Sequence, residues 1–193
     1  MAELLADLPL GRILPVGPFG APGPAGVVLR TLTRSTCALV AGRDRAALFA
    51  ALKASVGVDL ADAPNVFAAP DAEFIGTGPG CWLVLSQRSD LFALLERAAG
   101  AAGSIFEQSG GLVILEAAGA DLPRALAKLI PLDLHPRVFP AGAAATTTTA
   151  HVNLTVWRAD EEHWRFSVAR SYFAALLRAF ASAAAEFGFG WRG

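Results

Sequence analysis

The sequence predicts an α+β fold of two related halves, each an antiparallel sheet with helices packed on it. Three observations carry the prediction. Residues 151–157 and 164–169 alternate apolar and polar side chains, the period of a half-buried strand. Stretches such as Phe173, Leu176, Leu177, Phe180, Ala184 and Phe187 repeat with the helical period and give a one-sided stripe. The order strands, helix, loop, strands, helix then occurs twice, with matching local phrases. Leu39-Val40-Ala41-Gly42-Arg43-Asp44 stands before the first helix as Ala117-Ala118-Gly119-Ala120-Asp121 stands before the third. Trp82-Leu83-Val84-Leu85-Ser86 precedes the second as Phe166-Ser167-Val168-Ala169-Arg170 precedes the fourth.

Residues 1–26, rich in Gly and Pro, are expected to form an arm, wrapped or disordered, because such a stretch sustains neither helix nor central strand. Residues 27–193 are expected to form a single domain of two pseudo-repeats, about 27–102 and 103–188. Val27 to Val40 reads as one or two strands. Asp44 is placed to cap a helix bearing Leu48, Phe49 and Leu52, which Gly57 ends. A loop with Pro64 and Pro70 follows. Phe74 to Ser86 reads as a strand pair broken at Gly76, Gly78, Pro79 and Gly80, and Ser89 as the cap of a helix ending near Gly100. In the second half, Gly110-Gly111 between two apolar runs gives a hairpin signal. Asp121 is expected to cap a helix with Pro123 in its first turn, stopped by Pro131. After a loop through Pro136 and Pro140 come the two alternating strands, with Asp160-Glu161-Glu162 as their turn. The last helix starts near Arg170-Ser171, with Ser171 as its cap.

Composition narrows the function. Among 193 residues, 54% are hydrophobic and 17% charged, against about 25% charged in ordinary soluble domains. Such a chain has a large core or an apolar face that meets a partner. Sixteen Lys and Arg against seventeen Asp and Glu leave no basic stripe for nucleic acid. The N-terminus lacks a basic signal-peptide start, and Pro15, Pro18, Pro22 and Pro24 interrupt the uncharged run that follows. A cytoplasmic protein without a membrane span is expected. Cys37 and Cys81 have neither disulfide-framework nor metal spacing, and three histidines without neighbouring ligands give no metal site.

Gly76-Thr77-Gly78-Pro79-Gly80 precedes a strand rather than a helix, so it reads as a turn and not as a phosphate loop. Ser109 lacks the flanking glycines of a nucleophile elbow. The densest polar cluster is Asp133-Leu134-His135-Pro136-Arg137. Asp133 has the spacing to orient His135, but no nucleophile or second carboxylate lies nearby, so a loop held by an Asp–backbone bond, or an interface patch, is preferred. Arg170 at a helix start is unfavourable unless it pairs elsewhere, and a partner carboxylate, inside the chain or on another subunit, is expected. His151 opens a strand and is expected half buried, whereas His163 is expected solvated. Phe187, Phe189 and Trp191 either anchor an interface or pack back on the domain. Asp133, His135, Arg137, Arg170 and Ser171 are therefore candidate interface or structural positions, and no catalytic, cofactor-binding or metal-binding residue is predicted.

Four phrases in order carry a resemblance: Gly78-Pro79-Gly80-Cys81-Trp82-Leu83-Val84-Leu85-Ser86; Gln108-Ser109; Pro131-Leu132-Asp133-Leu134-His135-Pro136 with Phe139; and Phe166-Ser167-Val168-Ala169-Arg170-Ser171-Tyr172 running into a helix closed by Glu186-Phe187-Gly188. Together they resemble the gamma-subunit family of heterotetrameric sarcosine oxidase, over most of the chain from about Val27. The resemblance implies a fold similar to the folate-binding domain of the aminomethyltransferases. It implies alpha, beta and delta subunits as partners, and oxidative demethylation of sarcosine to glycine as the reaction of the complex. FAD and FMN are then expected on or between alpha and beta, NAD on alpha, zinc on delta, and tetrahydrofolate in an alpha domain, with no cofactor on this chain. The alternative is a stand-alone folate-binding or aminomethyl-transferring enzyme of that fold, in which Asp133 or Glu107 would have to hold the pterin. A sister complex acting on another N-methyl amino acid is the remaining reading.

Overall fold

The computed structural model of the protein describes residues 16–32 and 36–193. Residues 1–15, most of the expected N-terminal arm, lie outside the described residues.

The chain divides into two units. The central unit takes residues 36–109 with Gly142–Ala145, and the terminal unit takes residues 16–32 with Gly110–Ala141 and Thr146–Gly193.

In the central unit, β3 (Thr36–Gly42) leads to helix α1 (Arg45–Val56). Both ends of α1 are where the sequence puts them. The Asp44 carboxylate accepts the Ala47 N–H at 3.1 Å, and Gly57 ends the helix at φ 73°, a left-handed conformation that glycine adopts without a Cβ clash. Strands β4 (Val66–Ala69), β5 (Ala72–Gly78) and β6 (Cys81–Ser86) then form a meander. Helix α2 (Leu91–Ala99) and a 3₁₀ turn (Gly100–Ala102) lead into β7 (Gly103–Glu107). The sheet order is β4-β5-β6-β3-β7, all neighbours antiparallel. Leu48 and Leu52 of α1 and Leu91 and Leu95 of α2 bury against Ala38, Val40, Phe74, Trp82 and Val84, one face of this sheet. Alternation along each strand makes that face continuous.

The terminal unit repeats the order. Strand β8 (Leu112–Ala118) leads to α3 (Leu122–Leu129), followed by β9 (Ala144–Thr149), β10 (Val152–Arg158), β11 (Trp164–Ala169), a 3₁₀ turn (Arg170–Tyr172), α4 (Phe173–Ala184), a 3₁₀ turn (Ala185–Phe187) and β12 (Phe189–Trp191). Strands β1 (Gly17–Phe19) and β2 (Val27–Thr31) join it from the N-terminal side, giving the order β1-β12-β2-β8-β11-β10-β9. Here Phe166 meets Phe180 edge-on with centroids 5.2 Å apart, and Phe173 of α4 packs on Trp191.

Several expectations change. The apolar runs around Gly110-Gly111 are not a hairpin: β7 pairs with β3, and β8 with β11 and β2, in different sheets. Each run buries more surface beside those strands than a two-stranded ribbon offers. Of the one or two strands expected from Val27 to Val40, two form as expected, but they too lie in different sheets. The second helix is capped at Asp90 rather than Ser89, with no side-chain cap bond, since Arg88 engages the Asp90 carboxylate. The last helix has Tyr172, not Ser171, at its cap position, because the chain first makes the 3₁₀ turn. The C-terminal aromatics pack back: Phe189 and Trp191 are fully buried, and Phe187 lies beneath the Arg124 and Lys128 cations.

Candidate functional site

The predicted polar cluster forms one exposed turn. The Asp133 carboxylate accepts the backbone N–H of His135 at 3.0 Å, rather than orienting its ring. The His135 Nδ1 accepts the N–H of Arg137 at 3.2 Å, and its carbonyl accepts the N–H groups of Val138 and Phe139. The imidazole thus serves local backbone geometry, which makes its Nδ1 an acceptor in this conformation. Asp133, His135 and Arg137 are exposed, and so are Leu132 at 37% and Val138 at 62%.

A buried arginine that sequence reasoning passed over holds this loop down. Arg158, at the end of β10, is only 5% exposed. Its Nη1 donates to the Phe139 carbonyl at 3.4 Å, and its Nη2 donates to the Glu161 carbonyl at 3.1 Å and carboxylate at 2.6 Å. Phe139 stacks on Trp164, centroids 5.3 Å apart and planes 15° from parallel. The loop is therefore pinned at one end while its polar and apolar tips face outward.

Arg170 and Ser171 stand elsewhere, at the junction of β11 and α4. The Arg170 Nε donates to the Gly110 carbonyl at 2.9 Å and its N–H to the Gly111 carbonyl at 2.8 Å. In place of the expected carboxylate, the guanidinium thus meets the Gly110 carbonyl dipole. Ser171 is exposed.

A second unpredicted feature crosses the terminal sheet. Glu116 of β8 lies directly between Arg30 of β2 and Arg165 of β11. Arg30 Nε donates to Oε1 at 3.0 Å and Arg165 Nε to Oε2 at 2.9 Å. Burial pushes this carboxyl up, but the hydrogen bonds and charges of the two guanidinium groups outweigh it and hold it below the ordinary value. The arrangement clamps three strands.

Other groups have structural partners. The Gly78–Gly80 turn between β5 and β6 is closed by Asp62, whose carboxylate accepts the Gly80 N–H at 2.8 Å and pairs with Arg45. The Gly80 hydrogen bond, opposed by some desolvation and helped by Arg45, keeps Asp62 below the usual carboxylate range. Cys37 is buried, and burial together with the nearby Glu107 pushes its thiol to about 11, which suppresses the nucleophilic thiolate. His151, expected half buried at a strand start, is exposed in the turn before β10. Ala150 and His151 there both have positive φ, 47° and 63°, the signature of a tight primed turn. The turn borders an open groove of about 600 Å³, lined by Lys128, Ile130, Pro131 and Thr148 among others. His163 lies in its exposed turn with Nδ1 3.0 Å from Asp160. Among the described residues, no group of three or more His, Cys, Asp or Glu side chains is placed to hold a metal. None of the described helices is long and apolar enough to cross a membrane.

Comparison with known proteins bears on this arrangement. The Sarcosine oxidase, gamma subunit family matches residues 41–186. This chain belongs to the sarcosine oxidase gamma-subunit family. The sarcosine oxidase gamma subunit of an Arthrobacter species is 31% identical, the alignment covering 72% of this chain and 70% of that one. The gamma subunit of Corynebacterium sp. (strain P-1) is 34% identical over 60% of this chain, and the match spans 59% of its length. Among solved structures, the heterotetrameric sarcosine oxidase of Corynebacterium sp. U-96, in complex with pyrrole 2-carboxylate, contains a chain superposing with a TM-score of 0.78. That chain is 28% identical, and the match covers 88% of each. Aminomethyltransferase T of the glycine cleavage system from Bartonella henselae superposes with a TM-score of 0.62 at 14% identity, covering 88% of this chain and 48% of that one. The fold is thus that of the aminomethyltransferases.

Proposed function

We propose that this chain is the gamma subunit of a heterotetrameric sarcosine oxidase, serving assembly and structure and carrying no catalytic centre of its own. The observation that carries the proposal is the match over 88% of both chains to a chain of a heterotetrameric sarcosine oxidase. The site geometry supports it. The buried charged groups, Glu116 and Arg158, are committed to holding strands and a loop together, and the Asp133 carboxylate and the His135 Nδ1 each accept a backbone N–H of their own turn. Exposed Leu132, Val138, His135 and Arg137 fit a surface that meets another subunit, as do Arg170 and Ser171.

In this reading the partners are alpha, beta and delta subunits, and the complex oxidatively demethylates sarcosine to glycine in the cytoplasm. FAD, FMN, NAD, zinc and tetrahydrofolate belong to the partners. The test is co-production with the three partner subunits and capture through a tag on this chain. A flavin-coloured eluate that oxidises sarcosine is expected, and its activity per flavin should survive Asp133→Asn, His135→Gln and Arg170→Gln. A colourless lone chain, or loss of turnover in a fully assembled variant, refutes the assignment.

A further inference from the structure

The two units repeat the same order of elements, yet their sheets end differently. By position, β4-β5-β6-β3-β7 corresponds to β9-β10-β11-β8-β2. Beyond β2 the terminal sheet continues with two more strands, β12 running parallel to β2 and β1 antiparallel to β12. Among the described residues, the central sheet stops at β7.

The hydrogen-bond phase of β7 is fixed by its flanks. The Gln108 N–H donates to the Cys37 carbonyl and the Arg43 N–H to the Ala102 carbonyl, both at 2.8 Å. In an antiparallel ladder alternate residues bond to the same neighbour, so residues 104 and 106 face β3. The main-chain groups of Gly103, Ile105 and Glu107 therefore point to the outer edge. Gly103 is buried, so the accessible part of that edge is Ile105 and Glu107, and the strand has no Pro, no Lys and no bulge, the devices that ordinarily protect a strand edge. Its one charge, Glu107, is turned back onto its own chain, the carboxylate accepting the Ser109 N–H at 2.9 Å. The side chains point the same way. Ile75, Leu83, Leu39 and Phe106 form a cross-strand apolar row. Ile75 and Leu83 are buried, while Phe106 at the edge is 52% exposed.

We propose that the outer edge of β7 is a strand-addition site for an extended segment of another subunit of the complex, an assignment that rests on the gamma-subunit reading above. The segment supplies N–H and C=O groups in register with Ile105 and Glu107, and an apolar side chain beside Phe106. Main-chain bonds give such a contact its affinity and the side-chain pocket its selectivity. It completes in the central sheet what β12 supplies in the terminal one.

Two substitutions test it. Ile105→Pro removes an outward N–H and spares the β3–β7 ladder, since proline is tolerated on the open side of an edge strand, but it also gives up the packing of Ile105 on the core, so its capture is read only beside its melting. Phe106→Lys places a solvated charge on the edge. Each variant is co-produced with the alpha, beta and delta subunits, with thermal melting of the isolated chain as the folding control. The expected result is unchanged melting for Phe106→Lys and a loss of captured partner of about tenfold or more, the scale of one interface hot spot. Hydrogen exchange on the wild-type chain is the independent arm: the outward amides of Ile105 and Glu107 should be fast in the isolated chain and strongly slowed in the complex. If the complex forms and those amides stay fast, or if both variants assemble as wild type does, the strand-addition site is refuted and the subunit reading stands. A wild-type chain that captures no partner refutes both. Self-association of the isolated chain that Ile105→Pro abolishes puts a second copy on this edge and overturns the assignment to another subunit.

Discussion

Replacing Glu116 by alanine tests whether the Arg30–Glu116–Arg165 clamp holds the terminal sheet. Glu116 is 5% exposed and bonded on both sides, so its removal takes the carboxylate from two guanidinium groups at once. Loss of one member of a fully buried charge cluster costs about 3–5 kcal/mol. The Arg30 side chain is 55% exposed and will be rehydrated, whereas the Arg165 side chain, 24% exposed, keeps most of the penalty. Discounting for that solvation leaves about 2–3 kcal/mol. For a chain of this size, that lowers Tm by roughly 4–12 °C. The pH dependence carries the sign. The folded carboxyl lies below its ordinary value of 4.5, so the clamp contributes fully above that value and is lost as pH falls through the folded-state pKa. The Tm difference between wild type and Glu116→Ala should therefore be flat from neutrality down to about pH 5 and close at lower pH. Calorimetry at stepped pH measures both. A Tm loss under about 2 °C, or a difference that does not narrow in acid, refutes the clamp as a stabilising element.

Three further outcomes follow from local geometry. Gly76→Ala should destabilise by about 2 kcal/mol or more in urea unfolding, because a Cβ there lies 2.1 Å from the Ala63 carbonyl oxygen, which is backbone. His151→Gly should raise the urea midpoint, by about 0.5–1 kcal/mol of stability, since it removes one of the two left-handed non-glycine residues of this turn; a lowered midpoint would show that the imidazole is needed in the fold. Cys37 should resist alkylation at pH 8 in the native chain and react on unfolding, its thiol being buried and held at about 11; fast native labelling at that residue would contradict the burial.

Elements whose signals are local were legible in the sequence. Asp44 and Gly57 bracket α1 because an N-cap and a left-handed C-cap are read within one turn. The β10–β11 pair was legible because each strand alternates and their turn is polar. Strands β4 and β9 were not. Val66–Ala69 lies between prolines, and Ala144–Thr149 has no apolar alternation, so only their neighbours in the sheet define them. Strands β1 and β12 contain glycine and are three residues long, and they exist because they pair across the whole chain. The site divides in the same way. Asp133, His135 and Arg137 fall within five consecutive residues and read as a loop held by an Asp–backbone bond or as an interface patch, and the structure contains the bond. Glu116 meets partners 86 and 49 residues away, and no pattern in one sequence links them. Arg158 meets Phe139 across 19 residues and so looked like any strand-end arginine.

The distribution of long-range pairing separates the two units and yields the sharpest test of that division. The central sheet draws its strands from residues 36–107, whereas the terminal sheet needs β2 and β12 side by side, from opposite ends of the chain. Closing such distant pairs costs more chain entropy than closing local ones, and it must be recovered by burial. Phe189 and Trp191 provide that burial, both fully enclosed, with Trp191 against Phe173 at 5.8 Å. Losing one buried aromatic costs about 3–5 kcal/mol, so losing two approaches the roughly 5–15 kcal/mol that holds a whole domain. Deletion of residues 189–193 is therefore predicted to unfold the terminal unit. It also removes the partner of β1, whose Phe19 packs on Phe189. The central strands β3, β5 and β6 keep all their sheet neighbours in the truncated chain. Hydrogen exchange should show fast amides in β8, β10 and β11 and protected ones in β3, β5 and β6. Uniform loss of protection would mean that the central unit cannot stand without the terminal one, and would refute the inference from strand pairing to independent stability.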